Sequence, residues 1–269
     1  MHPEDFRPSF PCSINNQMIN SMNRNLTNKR ALVTGGSRGI GAGIVKRLAA
    51  EGAHVAFTYS SSPDKANEVA RAAQALGVRS TAIQCDSADA TALTAAIEKT
   101  ATELGGIDIL VNSAGIIALG SIDELKLADF DRLLAVNVRA VFVATHAALK
   151  HMKEGGRIIN IGSCNAERMP FKGGAIYAMS KSALQGLVQG AARDLGSRGI
   201  TINNVQPGPI NTDGNPDNTE FAEMLKKQFL ALPRYGTVDD VAGMVAYLAS
   251  DEGAYITGAS LTIDGGFNA

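Results

Sequence analysis

The sequence predicts an α/β fold: one doubly wound sheet of parallel strands with helices on both faces. Three observations carry this expectation. Short β-branched runs alternate with longer helical patterns along the chain. Those runs are continuously apolar rather than alternating, which marks strands buried on both faces. The turns that follow several of them are small-residue segments bearing polar side chains. At 269 residues the chain can form one domain that buries ~70–75% of its unfolded surface without a disulfide or a metal.

Residues 1–28, MHPEDFRPSFPCSINNQMINSMNRNLTN, are polar, bear Pro and Asn, and lack the apolar stretch of a signal peptide. A disordered tail is expected there, and Met18 and Met22 would also serve as starts. A single folded domain is expected over 29–269. Its first strand is RALVT, Arg30 to Thr34. The strand runs through glycines into IGAGIVKRLAAEG, where Ile40, Ile44 and Leu48 share one helical face and Gly52 is a good stop. HVAFTY, STAIQC, IDILVN, RIINI, TINNVQ and SLTI are the further strands. Helices are expected at PDKANEVARAAQAL, ATALTAAIEKTATEL, LADFDRLLAVNVRAVFVATHAALKHM and after Tyr177. No repeat and no second composition regime divides the chain.

Composition excludes several functions. There are 25 Lys and Arg against 26 Asp and Glu, scattered rather than clustered, which argues against nucleic acid or a membrane surface as partner. No apolar run approaches the ~20 residues that span a bilayer. Cys12, Cys85 and Cys164 are far apart and odd in number, as expected of reduced thiols in a cytoplasmic protein. No metal-ligand spacing occurs, and His2, His54, His146 and His151 read as incidental.

Ligands of open α/β sheets bind beyond the carboxyl ends of the strands. TGGSRGIG, NSAG, a Gly-Ser pair and QPGP all fall at that edge. Gly35, Gly39 and Gly41, with Ser37 and Ile40 among them, permit a tight turn and close approach to a pyrophosphate at a helix N-terminus. An NAD site places an acid ~20 residues on. Here the second strand ends in Tyr59, Ser60 and Ser61, whose hydroxyls tolerate a 2′-phosphate, and the Arg38 fork can pair with one. NADP(H) is therefore the expected cofactor. Asp86 is a candidate acceptor for the adenine amino group, with Ser87 beside it, and Asn112, Ala114 and Gly115 would bring backbone near the adenosine ribose.

The glycine turn, NSAG, Ser163, YAMSK and PGPINT, in that order, resemble the short-chain dehydrogenase/reductase family over essentially Lys29 to Ala269. The resemblance implies a Rossmann-type, seven-stranded parallel sheet in the order 3-2-1-4-5-6-7. It implies that Tyr177 is the general acid that protonates a carbonyl oxygen during reduction. A phenol titrates near 10, so acting near neutrality needs a shift worth ~4 kcal/mol. Lys181, one helical turn on, is expected to supply most of it: two charges ~4 Å apart at an effective dielectric of ~20 interact by about that much.

By the same resemblance Ser163 polarises the carbonyl. Fourteen positions separate it from Tyr177, one more than is common in the family, which reads as a one-residue loop insertion. Asn137 lies in an otherwise apolar helix, where its side chain competes with backbone bonds; the resemblance has it hold a water that links Lys181 to solvent. Pro207, Gly208, Ile210 and Thr212 resemble the segment that closes over the nicotinamide. Cys164, Asn165, Met169 and Phe171 are expected to wall the substrate pocket, with Glu167 and Arg168 as candidates for a polar substituent. A lid helix carrying Phe221, Met224, Leu225 and Phe229 on its underside would cover it and suit a moderately apolar ketone. GASLTIDGGFNA resembles the strand through which family members assemble, so a homotetramer is expected, with a dimer as the alternative.

Three functions compete. The first is an NADPH-dependent carbonyl reductase acting on a small-molecule ketone. The second is a 3-oxoacyl-acyl-carrier-protein reductase, for which no basic patch around the pocket mouth can be identified. The third is a cyclic-di-GMP-binding regulatory protein. GGSRGIG, DSAD, ERMPF, QPGPINTDGNP and VAGMVAYLAS resemble the bacterial biofilm-dispersal mediators, a branch of this family that binds that nucleotide. The intact Ser163, Tyr177 and Lys181 set favours catalysis.

Overall fold

The computed structural model describes residues 25–269. Seven strands pair in parallel: β1 (Arg30–Thr34), β2 (His54–Tyr59), β3 (Ser80–Gln84), β4 (Ile109–Asn112), β5 (Arg157–Ile161), β6 (Thr201–Pro207) and β7 (Ser260–Ile263). Their order is 3-2-1-4-5-6-7, as the resemblance implied. Thr34, Asn112, Asn160 and Asn204 sit at one level across β1, β4, β5 and β6, so the segments that follow these strands emerge at a common edge.

Successive strand residues point to opposite faces, and here both faces are covered. On one side Ala31, Val33, Val55 and Phe57 pack with helices α1 (Gly39–Ala50), α2 (Pro63–Gln74) and α8 (Val238–Ala249). On the other, Leu32, Ala56, Leu110 and Ile158 meet α3 (Ala90–Leu104), α5 (Ala140–Ala148) and α6 (Ala175–Leu195). This is why the strands read as unbroken apolar runs. A third, smaller cluster gathers Leu225 of α7 (Glu220–Gln228), Cys164, Leu230, Tyr235 and Phe267.

Local signals set the helix ends. Asp89 caps α3 by accepting from the Thr91 and Ala92 N–H groups, and Gly105 ends it in the left-handed region. Thr237 and Asp240 form a capping box at α8. The start of α1 differs: Arg38 is extended and no side chain caps its N–H groups.

Two expectations need correction. The tail expected over 1–28 is too long at its inner end. Among those residues, 25–28 form a turn in which the Leu26 N–H donates to the Glu51 carbonyl and Asn28 N–H to that of Gly52. Leu26 is fully buried in the core beside α1, because a lone apolar side chain next to the amino edge of the sheet fills a gap there. Residues 1–24, with Cys12 and His2, lie outside the described residues. Second, the long helix expected around Asn137 runs unbroken from Leu127 to Ala148, but it is not uniformly α and it stops short of the expected Met152. It comprises α4 (Leu127–Leu134), a π-helical turn over Ala135–Arg139, and α5. No helix among the described residues is long and apolar enough to cross a membrane.

Candidate active site

A cleft of about 580 Å³ opens along the carboxyl edge of the sheet, within the range of small-molecule and cofactor sites. One end is floored by the glycine turn. Gly35 adopts φ +71°, and a Cβ there would come within 2.9 Å of the Ala114 Cα; one on Gly41 would strike the Gly35 carbonyl oxygen at 2.2 Å. Threonines tie this turn to its neighbour. Thr34 Oγ1 accepts from the Ser113 and Ala114 N–H groups, each at 3.1 Å, and Thr58 Oγ1 accepts from Gly35 N–H at 3.1 Å. The uncapped N–H groups of α1 face this region, which suits a pyrophosphate.

Ser37, Arg38, Ile40, Tyr59 and Ser60 line the same end, as expected. Asp86 and Ser87 follow, but Asp86 is engaged. Arg132 of α4 donates to its two oxygens at 3.0 and 3.1 Å, and this pairing holds the carboxyl below the usual carboxylate range. Arg132 itself lines the cleft. Sequence reasoning missed it because nothing marks one exposed helical arginine as facing an aspartate 46 positions away.

At the other end stand Tyr177 and Lys181, both on α6. Lys181 is buried, its Nζ lying 5.9 Å from the centre of the Tyr177 ring and donating to the Ile161 carbonyl at 2.9 Å. The two side chains therefore face the same way, as the four-residue spacing requires. The expected depression of the phenol is not found in the protein alone. Burial pushes Tyr177 above its ordinary value, opposed by a hydrogen bond with the Ser163 side chain, while burial pushes Lys181 down to about 8. Removal from water outweighs the Ser163 hydrogen bond here, and the ammonium donates to the Ile161 carbonyl.

Ser163 lies two residues beyond β5, capping a short 3-10 turn by accepting from Asn165 N–H at 3.2 Å. Asn137 is buried in the π turn. Its Oδ1 accepts from Ile116 N–H at 2.9 Å, and its Nδ2 donates to the Ile116 carbonyl at 3.0 Å and to Ser180 Oγ at 3.1 Å. A Cβ on Gly115 would meet Lys181 Nζ at 3.4 Å and Asn137 Oδ1 at 3.6 Å, ordinary contact distances, so Gly115 lies beside both groups.

Several expected residues stand elsewhere. Asn112 turns into the helix face and donates to Asn160 Oδ1 at 2.9 Å; its neighbours Ala114 and Gly115 line the cleft, with Ser113 and Ile116, instead. Ser61 is exposed outside the wall. Pro207, Gly208 and Ile210 sit behind it: Gly208 N–H bonds the Ile263 carbonyl of β7 and Ile210 pairs with Gly236. Thr212 does line the cleft, followed by Asp213 and Asn215.

None of the four expected substrate-pocket residues lines the cleft. Cys164 and Phe171 belong to the third cluster, where Phe171 lies 5.6 Å from Phe221, 5.0 Å from Phe229 and 6.3 Å from Phe267 between ring centres. Asn165 donates to Met169 Sδ at 3.4 Å. This loop is braced rather than free. Gln206 Nε2 donates to Glu167 Oε1 at 2.9 Å, Arg168 donates to the Phe267 carbonyl at 3.2 Å, and Asn268 Nδ2 to that of Cys164 at 2.8 Å.

A family model described as Enoyl-(Acyl carrier protein) reductase matches residues 35–268. A short-chain dehydrogenase/reductase from Serratia marcescens has the same fold at a TM-score of 0.90 and 60% identity, over 91% of this chain and all of that one. The chain belongs to the short-chain dehydrogenase/reductase family. Among family members, the cyclic-di-GMP-binding biofilm dispersal mediator protein of Escherichia coli is 51% identical over 243 residues, covering 90% of this chain and 98% of the relative. The 3-oxoacyl-acyl-carrier-protein reductase FabG of Staphylococcus aureus is 41% identical over 244 residues, covering 88% and 97%. A short-chain dehydrogenase from Burkholderia cenocepacia, solved in complex with NADP, matches at a TM-score of 0.89 and 54% identity, over 91% of this chain and all of that one.

Proposed function

We propose that the protein is an NADP(H)-dependent oxidoreductase that reduces a ketone to an alcohol, with Tyr177 as proton donor. One observation carries this reading: Tyr177 and Lys181 line one end of a cleft whose other end holds Arg38 and no acidic residue at the end of β2. Bound NADPH would supply the hydride. The glycine turn and the open start of α1 would hold its pyrophosphate, and Arg38 with Tyr59 and Ser60 its 2′-phosphate.

The chain's own residues account for the rest. The Ser163 hydroxyl, in contact with the phenol, donates to the substrate oxygen where negative charge develops. Tyr177 then delivers its proton to that oxygen. Lys181 keeps positive charge beside the phenol, and Asn137 fixes Ile116 and Ser180 around it. Ile116 and Ile117 line this end and favour an apolar substituent on the ketone. A cytoplasmic homotetramer joined through the outer strand β7 completes the proposal.

The deciding experiment is a panel of ketones and β-ketoesters assayed with NADPH and NADH. Turnover with preference for NADPH is expected; no turnover of any member with either coenzyme counts against an enzyme. The 51% identity to a cyclic-di-GMP-binding mediator favours a second reading, a nucleotide-responsive regulator on this fold. Saturable binding of cyclic-di-GMP in calorimetry, without reductase activity, would reverse the ranking. The FabG likeness favours an acyl-carrier substrate, which the panel tests with acyl-carrier β-ketoesters.

A further inference from the structure

Past β6 the chain makes a closed turn. Thr212 N–H donates to the Asn215 carbonyl at 3.3 Å, Asn215 N–H returns to that of Thr212 at 3.0 Å, and Asn215 Nδ2 donates to the Ile210 carbonyl at 3.2 Å. The turn lies over the cleft: the Thr212 methyl is 3.6 Å from where a Cβ on Gly39 would be. It presents Asp213, whose carboxylate accepts a hydrogen bond from Lys65 Nζ, 148 positions away in the chain. Lys65 stands in the first turn of α2, three positions after Ser62. The Lys65 hydrogen bond and charge, with a smaller pull from Arg38, hold the Asp213 carboxyl below the usual range.

Two cations and one carboxylate thus converge where the glycine turn, the end of β2 and the strap after β6 meet. A carboxylate seated there has the recognition chemistry of a phosphate monoester, which carries more charge and three acceptor oxygens. We propose that Lys65 is a second cation for the cofactor's 2′-phosphate and that Asp213 is its internal competitor. The phosphate displaces Asp213 from Lys65 and so unties the strap from α2. This inference rests on the NADP(H) reading. Both partners are about half or more exposed, so the tie is weak and its effect is limited to about fivefold in affinity.

Calorimetry with 2′,5′-ADP and 5′-AMP tests it without any turnover. Lys65→Ala is expected to weaken 2′,5′-ADP about tenfold and leave 5′-AMP unchanged, with Lys65→Arg restoring most of the loss. Asp213→Asn is expected to tighten 2′,5′-ADP by up to about fivefold and leave 5′-AMP unchanged. If wild type prefers 2′,5′-ADP but Asp213→Asn weakens it or does nothing, the competition is overturned; if Lys65→Ala does nothing, so is the role of Lys65. If wild type shows no preference for 2′,5′-ADP, this inference and the cofactor reading fall together.

Discussion

Asn137 and Ile116 exchange two hydrogen bonds, the Ile116 N–H donating to Asn137 Oδ1 at 2.9 Å and Asn137 Nδ2 donating to the Ile116 carbonyl at 3.0 Å. A side chain inside a helix thereby pairs with a loop backbone as a neighbouring strand would. The π turn makes this feasible: Ala140 N–H reaches back five residues to Ala135, which widens the turn where Asn137 faces inward. Asn137→Ala strands both Ile116 groups and one partner of Ser180. A loss of about 1–3 kcal/mol in stability is expected, read from the urea midpoint. A midpoint equal to wild type would mean the pair contributes nothing.

Tyr177→Phe removes one oxygen and little else. Turnover should fall at least ~100-fold while NADPH affinity measured by fluorescence titration stays close to wild type. Unchanged turnover would end the proposed role of the phenol as acid.

Lys181 gives the reaction its pH dependence. Burial brings it down to about 8 from 10.5, so its charge is lost as pH rises through about 8. With that charge gone the Tyr177 proton is held more tightly, and the reduction rate should decline above about pH 8. Lys181→Met should be slower throughout and lack that limb. Stability has the opposite sign. Between about 8 and 9 the unfolded chain holds the Lys181 proton that the folded one has lost, so the folded state gains stability as pH rises; above about 9 the Cys85 and Cys164 thiols, pushed up by burial to about 11 and about 12, act in the other direction. A melting temperature that does not rise between about pH 8 and 9 would contradict the burial of a charged lysine.

Arg38→Ala should raise the dissociation constant for NADPH much more than that for NADH. Equal effects on both coenzymes would place the 2′-phosphate elsewhere.

Gly41→Ala sets a methyl 2.2 Å from the Gly35 carbonyl oxygen, which only a backbone shift can relieve. A cost of about 1–3 kcal/mol or more and loss of NADPH binding are expected, followed by thermal melting with and without coenzyme. A variant that melts and binds like wild type would show the turn to be slack.

The fold was legible because the inner strands are apolar runs buried on both faces, and because Gly52 stops a helix by taking positive φ, which the residue type itself announces. Tyr177 and Lys181 were legible for a similar reason: four-residue spacing on a helix fixes a shared side. The sign of the phenol's shift was not, since it depends on depth and on which atom the ammonium faces, and neither is written in spacing. The packing of the loop from Cys164 to Phe171 was not legible because its apolar residues found partners from α7 and Phe267, more than ninety positions away from Phe171 in the latter case. Arg132, Lys65 and Asp213 escaped notice because charged residues on helices and turns look alike until tertiary folding brings opposite signs together.

Leu26 anchors the rim of the sheet opposite the one that carries the chemistry. A shortened version beginning at Lys29 would forfeit that plug, at a cost of about 1.5–3 kcal/mol, while leaving every coenzyme-facing group in place. Heat tolerance and turnover can thus be adjusted from separate poles of the molecule, and a truncation that keeps Asn25 onward retains the plug.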